Sequence, residues 1–304
     1  MEGTTALTSP QGGGKSGRHF GNTLHSLRRR KMVADIVAFI LIVILAAVVM
    51  FPIWWIFRSS LMISTDFMLS PPPFFPKDWL FSTYDLDPNA FDTLKYLANS
   101  MTIVVPCVVF GTLTALPCAY AFARLRFKGK KFIFSLCVGS MLLPTAVTII
   151  PLYLVWTNVL GLGNTYWPLI LPYLCGGGAF NIFLLRQFMR TIPKELDEAA
   201  AIDGAGYART LTTIIIPAIK PAIIVVALLI FMTTWNDLLQ QSLYISSDDK
   251  RTMILGLVKF AGSFRNKYAE LFAATCYTFL PGVVVYLFGQ RYFVEGIVMT
   301  GMKN

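Results

Sequence analysis

Long runs of uncharged, apolar residues constrain this chain more than any other feature. No Asp, Glu, Lys or Arg occurs from Ile36 to Phe57, from Tyr96 to Ala123 or from Phe132 to Leu185. A helix needs about 20 predominantly apolar residues to cross the hydrocarbon core of a bilayer. Only 14% of the 304 residues are charged, whereas soluble domains average about 25%. The chain is therefore predicted to be an integral membrane protein.

Six membrane spans account for these runs. The run from Phe132 to Leu185 is too long for one helix, and turn residues between Asn158 and Asn164 divide it in two. The other four predicted spans are Ile36–Phe57, Tyr96–Ala123, Pro217–Asn236 and Leu271–Gln290. The sequence thus predicts an all-α integral membrane fold of six transmembrane helices. The first span is expected to be uncleaved, because it is about twice as long as the apolar core of a signal peptide and lacks a small-residue cleavage site.

The distribution of basic residues predicts the orientation of the spans. The two tails and the connections on their side hold 18 Lys and Arg residues, and the connections on the other side hold 8. Because basic residues are retained on the cytoplasmic side, both termini are predicted to be cytoplasmic. This topology explains the net charge of +10 without a nucleic-acid partner. Residues 1–31 are rich in Gly, Ser and Thr and then basic, which predicts a disordered tail.

The sequence indicates no metal, nucleotide or catalytic site. Both histidines lie in the N-terminal tail, and the five cysteines show no C-x-x-C spacing. The segment Ser9–Ser16 resembles a phosphate-binding loop, but Ser9 replaces the first glycine and no apolar strand precedes it. A membrane enzyme would need a cluster of reactive side chains, and a secondary transporter would need ionisable residues within its spans. The spans offer only Asp35 and Lys220, at their ends, so we expect no cofactor, no metal and no catalytic residue.

The segment 193–209, between the fourth and fifth spans, has the composition of a short helix. Pro193 suits a first helical position, the acidic residues after it suit the first turn, and three alanines favour the helix. Gly204 or Gly206 can end it. Four residues share one face by their spacing: Leu196, Ala199, Ala200 and Asp203. The segment is predicted to be a cytoplasmic helix that either lies in a groove of another protein or rests on lipid headgroups.

The same segment resembles a motif of known transporters. Glu198-Ala-Ala200, followed by Gly204 and by Ile214-x-Ile216-Pro217, resembles the EAA motif of bacterial ABC-importer permeases, with Ile216 in place of the family's leucine. The longer string from Pro193 to Ala205 is similar to the sugar-importer branch. The resemblance extends from about residue 95 to the C-terminus, and the most similar type is the smaller, six-span permease of maltose-type importers.

The resemblance implies a type I ABC-importer permease fold with its core at residues 95–290. Residues 32–94 would form the first span and an outer loop, and residues 291–304 a cytoplasmic tail. The implied function is ATP-driven import of a carbohydrate, or alternatively of a non-sugar solute, by a non-catalytic subunit in the bacterial cell membrane. The implied partners are a second permease, two ATPase subunits and an extracytoplasmic sugar-binding protein. The residues implied in coupling to the ATPase are Glu195, Glu198, Ala199, Ala200, Asp203, Gly204 and Pro217.

A path for sugar needs hydroxyl-pairing and stacking side chains among apolar walls. The candidates are Asn99, Ser100, Asn181, Thr233, Thr234, Trp235, Asn236 and Tyr277. Each of them can equally serve as a contact between helices. The predicted outer loop from Asp237 to Glu270 is too long for a turn. We expect it to dock the sugar-binding protein, or alternatively to form a lid that contacts the partner permease.

Overall fold

The computed structural model describes the backbone of residues 16–263 and 267–301. Side chains are described over residues 30–262 and 267–292, apart from Ser64 and Met68. All regular structure in these ranges is helical, and the described residues form no β-strand. The predicted all-α fold class is therefore confirmed.

The chain divides into two units, residues 1–56 and residues 57–304. The α-helices of the described ranges are α1 (Ser16–Ser60), α2 (Thr93–Ala123), α3 (Lys130–Ser140), α4 (Thr145–Leu154), α5 (Trp167–Ile170), α6 (Ala179–Thr191), α7 (Glu195–Ile202), α8 (Tyr207–Thr210), α9 (Ile216–Ala218), α10 (Lys220–Trp235), α11 (Leu238–Tyr244), α12 (Met253–Ser263) and α13 (Tyr268–Gly301). Short 3-10 turns (Ser64–Met68, Phe81–Tyr84, Leu171–Cys175 and Asp248–Lys250) and π-helical turns (Val155–Val159 and Leu211–Ile215) lie between them.

Helix α1 is longer than its apolar run. It begins at Ser16, inside the segment that composition predicts to be disordered, and ends at Ser60. Extending an existing helix adds one hydrogen bond per residue and needs no new nucleus, so the apolar run from Ile36 can propagate helix back into the polar segment. Residues 1–15 of the predicted tail lie outside the described residues.

Four helical stretches of the described residues are long and apolar enough to cross a membrane. They are Arg30–Ser60, Thr93–Ala123, Trp167–Thr191 and Tyr268–Tyr292. Two further stretches qualify only as bent pairs: Lys130–Ser140 with Thr145–Val159, bent by 96°, and Tyr207–Ala218 with Lys220–Trp235, bent by 83°. Length and composition thus support four spans, or up to six if each bent pair is one span.

Proline explains why the predicted third and fifth spans are bent. Pro144 lies in extended conformation between α3 and α4. Pro217 lies in the short helix α9, directly after a π-helical turn. Proline has no N–H to donate and its ring obstructs the preceding turn, so the regular helical ladder is interrupted at both places. The helix break predicted between Asn158 and Asn164 is present, because the chain turns between Val159 and Trp167 with positive φ at Gly161 and Asn164.

Helix α2 forms the centre of the second unit and packs against α6 and α10, and α10 packs in turn against α13. Fully buried Ala115, Ala119 and Ala222 belong to this core. A Cβ added to Gly177 would lie only 2.8 Å from the Cα of Gly111. Small residues therefore let the backbones of these elements approach closely, as is usual for helices that pack within lipid.

Candidate functional site

Helix α7 has the sequence ELDEAAAI and lies in the segment predicted to couple to a partner. Its first turn carries Glu195, Asp197 and Glu198, where the N-terminal end of the helix dipole favours negative charge. Pro193 precedes the helix by two residues, whereas the sequence suggested that it would be the first helical residue. The residue before it, Ile192, is extended, as proline requires of its predecessor.

Gly204 ends α7 in a left-handed conformation. Its φ is +78°, its N–H donates to Ala201 O over 3.1 Å, and the N–H of Ala205 donates to Ala200 O over 2.8 Å. These two bonds satisfy carbonyls that a helix end would otherwise leave without a partner, and they define a Schellman motif, in which glycine is preferred. The prediction that Gly204 or Gly206 ends the helix is confirmed at Gly204.

The two sides of α7 lie in different environments. Ala200 is 4% exposed, whereas the side chains of Glu195, Glu198, Ala199 and Asp203 are exposed. Of the four residues predicted to share one face, Ala200 packs inward, while Leu196, Ala199 and Asp203 remain accessible. Two large apolar side chains are also exposed here: Ile202 (87%) and Tyr207 (71%). A surface that combines exposed acids with exposed apolar side chains can accept a protein partner.

An ion pair joins α7 to the end of α2. Arg124 Nε lies 3.0 Å from Asp197 Oδ2, and the two side chains are 6% and 21% exposed. The contact lies off the N–H axis, so the attraction is electrostatic rather than a directed hydrogen bond. Arg124 Nη2 also donates to Ile192 O over 2.8 Å. One arginine thus fixes both the acidic first turn of α7 and the end of α6.

A second arginine, Arg186, connects α6 to the end of α2 and to α3. Arg186 Nε, on α6, donates to Phe122 O over 3.0 Å, and its guanidinium lies 4.0 Å from the centre of the Phe134 ring on α3. Such cation–π contacts stabilise a cation that is partly removed from water, as Arg186 is here. Together, Arg124 and Arg186 connect the end of α2, the middle of α3, helix α6 and the start of α7.

Pro217, the remaining predicted coupling residue, lies outside α7. It is exposed in α9, beside the 83° bend before α10. The structure therefore places the predicted coupling residues in two groups, with six in α7 and its end and one at the bend. Arg124 and Asp197 were not predicted as site residues. The available signal was that Arg124 is the first charged residue after the uncharged run of α2.

A cavity of about 240 Å³ lies between α2, the α5–α6 break, α10 and α11. Its lining residues are Ile103, Leu169, Pro172, Tyr173, Gly177, Gly178, Thr234, Asp237, Gln240 and Gln241. The consecutive glycines from Gly176 to Gly178 all have positive φ, which lets the chain open space before α6. Thr234 Oγ1 donates to the Tyr173 hydroxyl over 3.2 Å across this cavity.

Of the eight residues predicted for the sugar path, Thr234 is the one that lines this cavity. Six others use their side chains in contacts within the chain. Asn99 donates to Asp249 O and Arg251 O, Ser100 accepts from Met253 N–H, Asn181 donates to Gly177 O, Trp235 donates to Thr278 O, Asn236 donates to Met232 O, and Tyr277 donates to Tyr84 O. Thr233 likewise donates to carbonyls of its own helix. These side chains make contacts within the chain in this structure, and their role in a sugar path remains a prediction.

Asp237 places a carboxylate in the cavity. Its Oδ1 accepts from Gln240 N–H over 3.0 Å, and burial raises the pKa of its carboxyl while that hydrogen bond lowers it. The amide of Gln241 is already engaged by Thr234 O and by the Thr252 hydroxyl. Sequence analysis missed Tyr173, Asp237 and Gln240 as lining residues, although Asp237 directly follows the Trp235-Asn236 pair that it singled out.

The described residues of the 237–270 loop, 237–263 and 267–270, are folded. Asn164 accepts hydrogen bonds from Ser246 and Ser247 and, through its carbonyl, from Lys250 Nζ. Asp248 pairs with Arg251 and Lys259, and these hydrogen bonds lower the pKa of its carboxyl to about 2. Docking of the sugar-binding protein by this loop, and its alternative role as a lid that contacts the partner permease, remain predictions.

Residues 107–298 match the family described as binding-protein-dependent transport system inner membrane component. The maltodextrin transport system permease protein MdxG of Bacillus subtilis is 30% identical, over 90% of this chain and 98% of that protein. The diacetylchitobiose uptake system permease protein NgcG of Streptomyces coelicolor is 32% identical, over 86% of each.

A solved structure of a bacterial ABC transporter that imports the acidic polysaccharide alginate contains a similar chain. It is 27% identical with a TM-score of 0.74, and the match covers 87% of this chain and 98% of that one. The family match spans more than half of the chain. The chain therefore belongs to this family of inner-membrane permease subunits and has the type I permease fold.

Proposed function

We propose that this chain is one of two permease subunits of an ATP-driven oligosaccharide importer. It would pair with a second permease, bind ATPase subunits through α7, and receive its cargo from an extracytoplasmic sugar-binding protein. The observation that carries the proposal is α7 itself: a capped helix with exposed acids and exposed Ile202, fixed to the end of α2 by the Arg124–Asp197 pair. The names of the relatives, which handle maltodextrin and diacetylchitobiose, support an oligosaccharide as cargo.

The proposed topology has six spans with both termini in the cytoplasm. The two bent helix pairs each count as one span in this topology. The excess of basic residues in the tails and in the 124–131 and 186–220 connections supports the orientation. Helix α7 then lies on the cytoplasmic side, where ATPase subunits are available, and the 237–270 loop lies on the outer side, where a binding protein is available.

The proposed coupling mechanism relies on rigid contacts. An ATPase that moves when it binds and hydrolyses ATP would displace α7 through Glu195, Glu198, Asp203 and Ile202. Because Arg124 contacts both Asp197 and Ile192 O, the displacement would pass to α2 and α6. These helices pack against α10, so their movement would open or close the path. Pro217, at the bend before α10, would let the fifth span adjust.

Purification of the intact assembly tests this proposal. The tagged chain should be extracted from its native membrane in mild detergent, and its partners should be identified and quantified by mass spectrometry. We expect one copy of a second permease and two copies of an ATPase subunit for each copy of this chain. Recovery of a chain that transports solute without any ATPase would instead favour a secondary transporter.

A further inference from the structure

The cavity has an acidic lining with no compensating cation. Asp237 is its one charged residue, and the described lining includes no lysine, arginine or histidine. None of the ion pairs formed by the described residues involves Asp237. Its only hydrogen bond within the described residues comes from the Gln240 backbone N–H to Oδ1. The carboxylate is half-buried, so its charge is screened less than that of an exposed acid.

The neutral groups of the cavity suit a hydroxylated ligand. Tyr173 and Gln240 add a hydroxyl and an amide beside the carboxylate, and Ile103, Leu169 and Pro172 provide apolar wall. Carboxylates form strong charge-assisted hydrogen bonds with hydroxyl donors, while apolar walls can cover the C–H face of a sugar ring. The volume of about 240 Å³ falls below the roughly 300–1,000 Å³ of pockets for drug-sized ligands. The cavity is thus of a size for a single ring of a longer chain.

We propose that this cavity is a saccharide subsite that selects by charge: it accepts a neutral or amino sugar ring and rejects rings that carry a carboxylate, with Asp237 as the specificity-determining residue. The inference rests on the proposed function of an oligosaccharide importer. A uronate ring would place its carboxylate near that of Asp237 without any cation between them, and discrimination of this kind arises from repulsion as much as from attraction.

Asp237 also precedes α11 and caps it through Gln240 N–H, so a test must separate charge from capping. Asparagine caps helices about as well as aspartate. Asp237→Asn therefore keeps the cap and removes the charge. The matched control is Asp248→Asn, which removes a carboxylate from the same loop, outside the cavity, where the side chain is 66% exposed.

The experiment uses the complete importer in nanodiscs, with Gln240→Cys as a reporter inside the cavity. Alkylation of position 240 by iodoacetamide is followed by mass spectrometry of its peptide, so that native cysteines do not interfere. The probes are maltotriose and trigalacturonate, which have the same number of rings and differ in charge. We expect maltotriose to slow alkylation at least about threefold and trigalacturonate to have little effect, because like charges disfavour binding.

With Asp237→Asn added, both maltotriose and trigalacturonate should slow alkylation of position 240. With Asp248→Asn added, maltotriose alone should still slow it. Equal protection by both probes in the importer without the Asp237 change would overturn the inference. So would a difference that survives Asp237→Asn or disappears with Asp248→Asn. Saccharide uptake by the same complex in proteoliposomes distinguishes failure of the subsite proposal from failure of the proposed function. Uptake without discrimination at position 240 contradicts only the subsite, whereas failure to transport any saccharide contradicts the proposed function together with the subsite that rests on it.

Discussion

Arg124 Nε, at the end of α2, lies 3.0 Å from Asp197 Oδ2, in the first turn of α7. The pair connects a central helix of the fold to the helix with which we expect an ATPase to engage. Arg124 is nearly buried, whereas Asp197 retains about one-fifth of its exposure. The two partners should therefore respond differently when one of them is removed, since a buried charge without a partner is costly and an accessible one is not.

Asp197→Ala should destabilise the chain more than Arg124→Ala, because it leaves a nearly buried cation with Ile192 O as its one hydrogen-bond partner among the described residues. We expect Asp197→Ala to lower the free energy of unfolding by about 1–3 kcal/mol, less than the roughly 3–5 kcal/mol of fully buried pairs, because Asp197 is partly screened by water. Thermal unfolding of the purified complex measures the loss of stability. Arg126→Ala, an exposed arginine two residues on, is the control and should leave the stability unchanged. The reverse order of the two alanine variants would contradict the assigned roles.

Gly204→Asn should retain more transport than Gly204→Ala. The glycine has φ of +78°, and a residue with a Cβ loses roughly 1–2 kcal/mol in this region, which asparagine tolerates better than alanine. No atom of the described residues lies within 4 Å of a Cβ added there, so crowding within the chain does not oppose either variant. Uptake normalised to the amount of protein in the membrane checks the order. If alanine is tolerated better than asparagine, Gly204 is needed for the close approach of a partner and not for its left-handed conformation.

A charged side chain at the same position should be worse than either neutral variant. We expect Gly204→Asp to reduce ATPase association or stimulation while membrane insertion stays normal. Normal uptake by this variant at the expression level of the unaltered protein would remove Gly204 from the coupling surface.

Labelling from outside the cell tests the topology. Asp85→Cys and Asp248→Cys, in a background without other cysteines, should react with a membrane-impermeant thiol reagent in intact cells. Lys128→Cys should react only after the membrane is permeabilised. All three positions are exposed in the structure, so lack of reaction cannot be attributed to burial within the chain. Reaction of position 128 in intact cells would contradict six spans with both termini in the cytoplasm.

The exposed face of α11 should contribute to docking of the binding protein. Leu239 and Leu243, spaced for one helical face, are 58% and 38% exposed. Replacing both with serine should reduce stimulation of the ATPase by the binding protein several-fold and leave assembly with the second permease intact. Unchanged stimulation would remove this face from docking, and loss of assembly would assign the loop to the partner permease instead.

The features that sequence analysis predicted correctly are local. Each apolar run forms helix, because that depends on the run alone. Gly204 ends α7 because glycine readily adopts the positive φ that the end of this helix requires. The bends of 96° and 83° depend on how prolines interrupt helices within a packed bundle, which the runs alone do not specify. The Arg124–Asp197 pair and the cavity beside Asp237 join segments far apart in the chain. Neither follows from residue spacing, and neither do the hydrogen bonds that Asn99, Ser100 and Tyr277 make with distant segments of the chain.

The most direct test of the central claim is uptake of a radiolabelled oligosaccharide into proteoliposomes that contain the purified complex. The cargo is the solute that mass spectrometry identifies on the copurified binding protein. The account predicts uptake that requires both enclosed ATP and the binding protein, and that falls at least about tenfold when Glu198, Ile202 and Asp203 of the α7 surface are replaced by alanine, as expected for an interface core. Uptake that proceeds without ATP, or that is unaffected by these replacements, would contradict an ATP-driven permease coupled through α7.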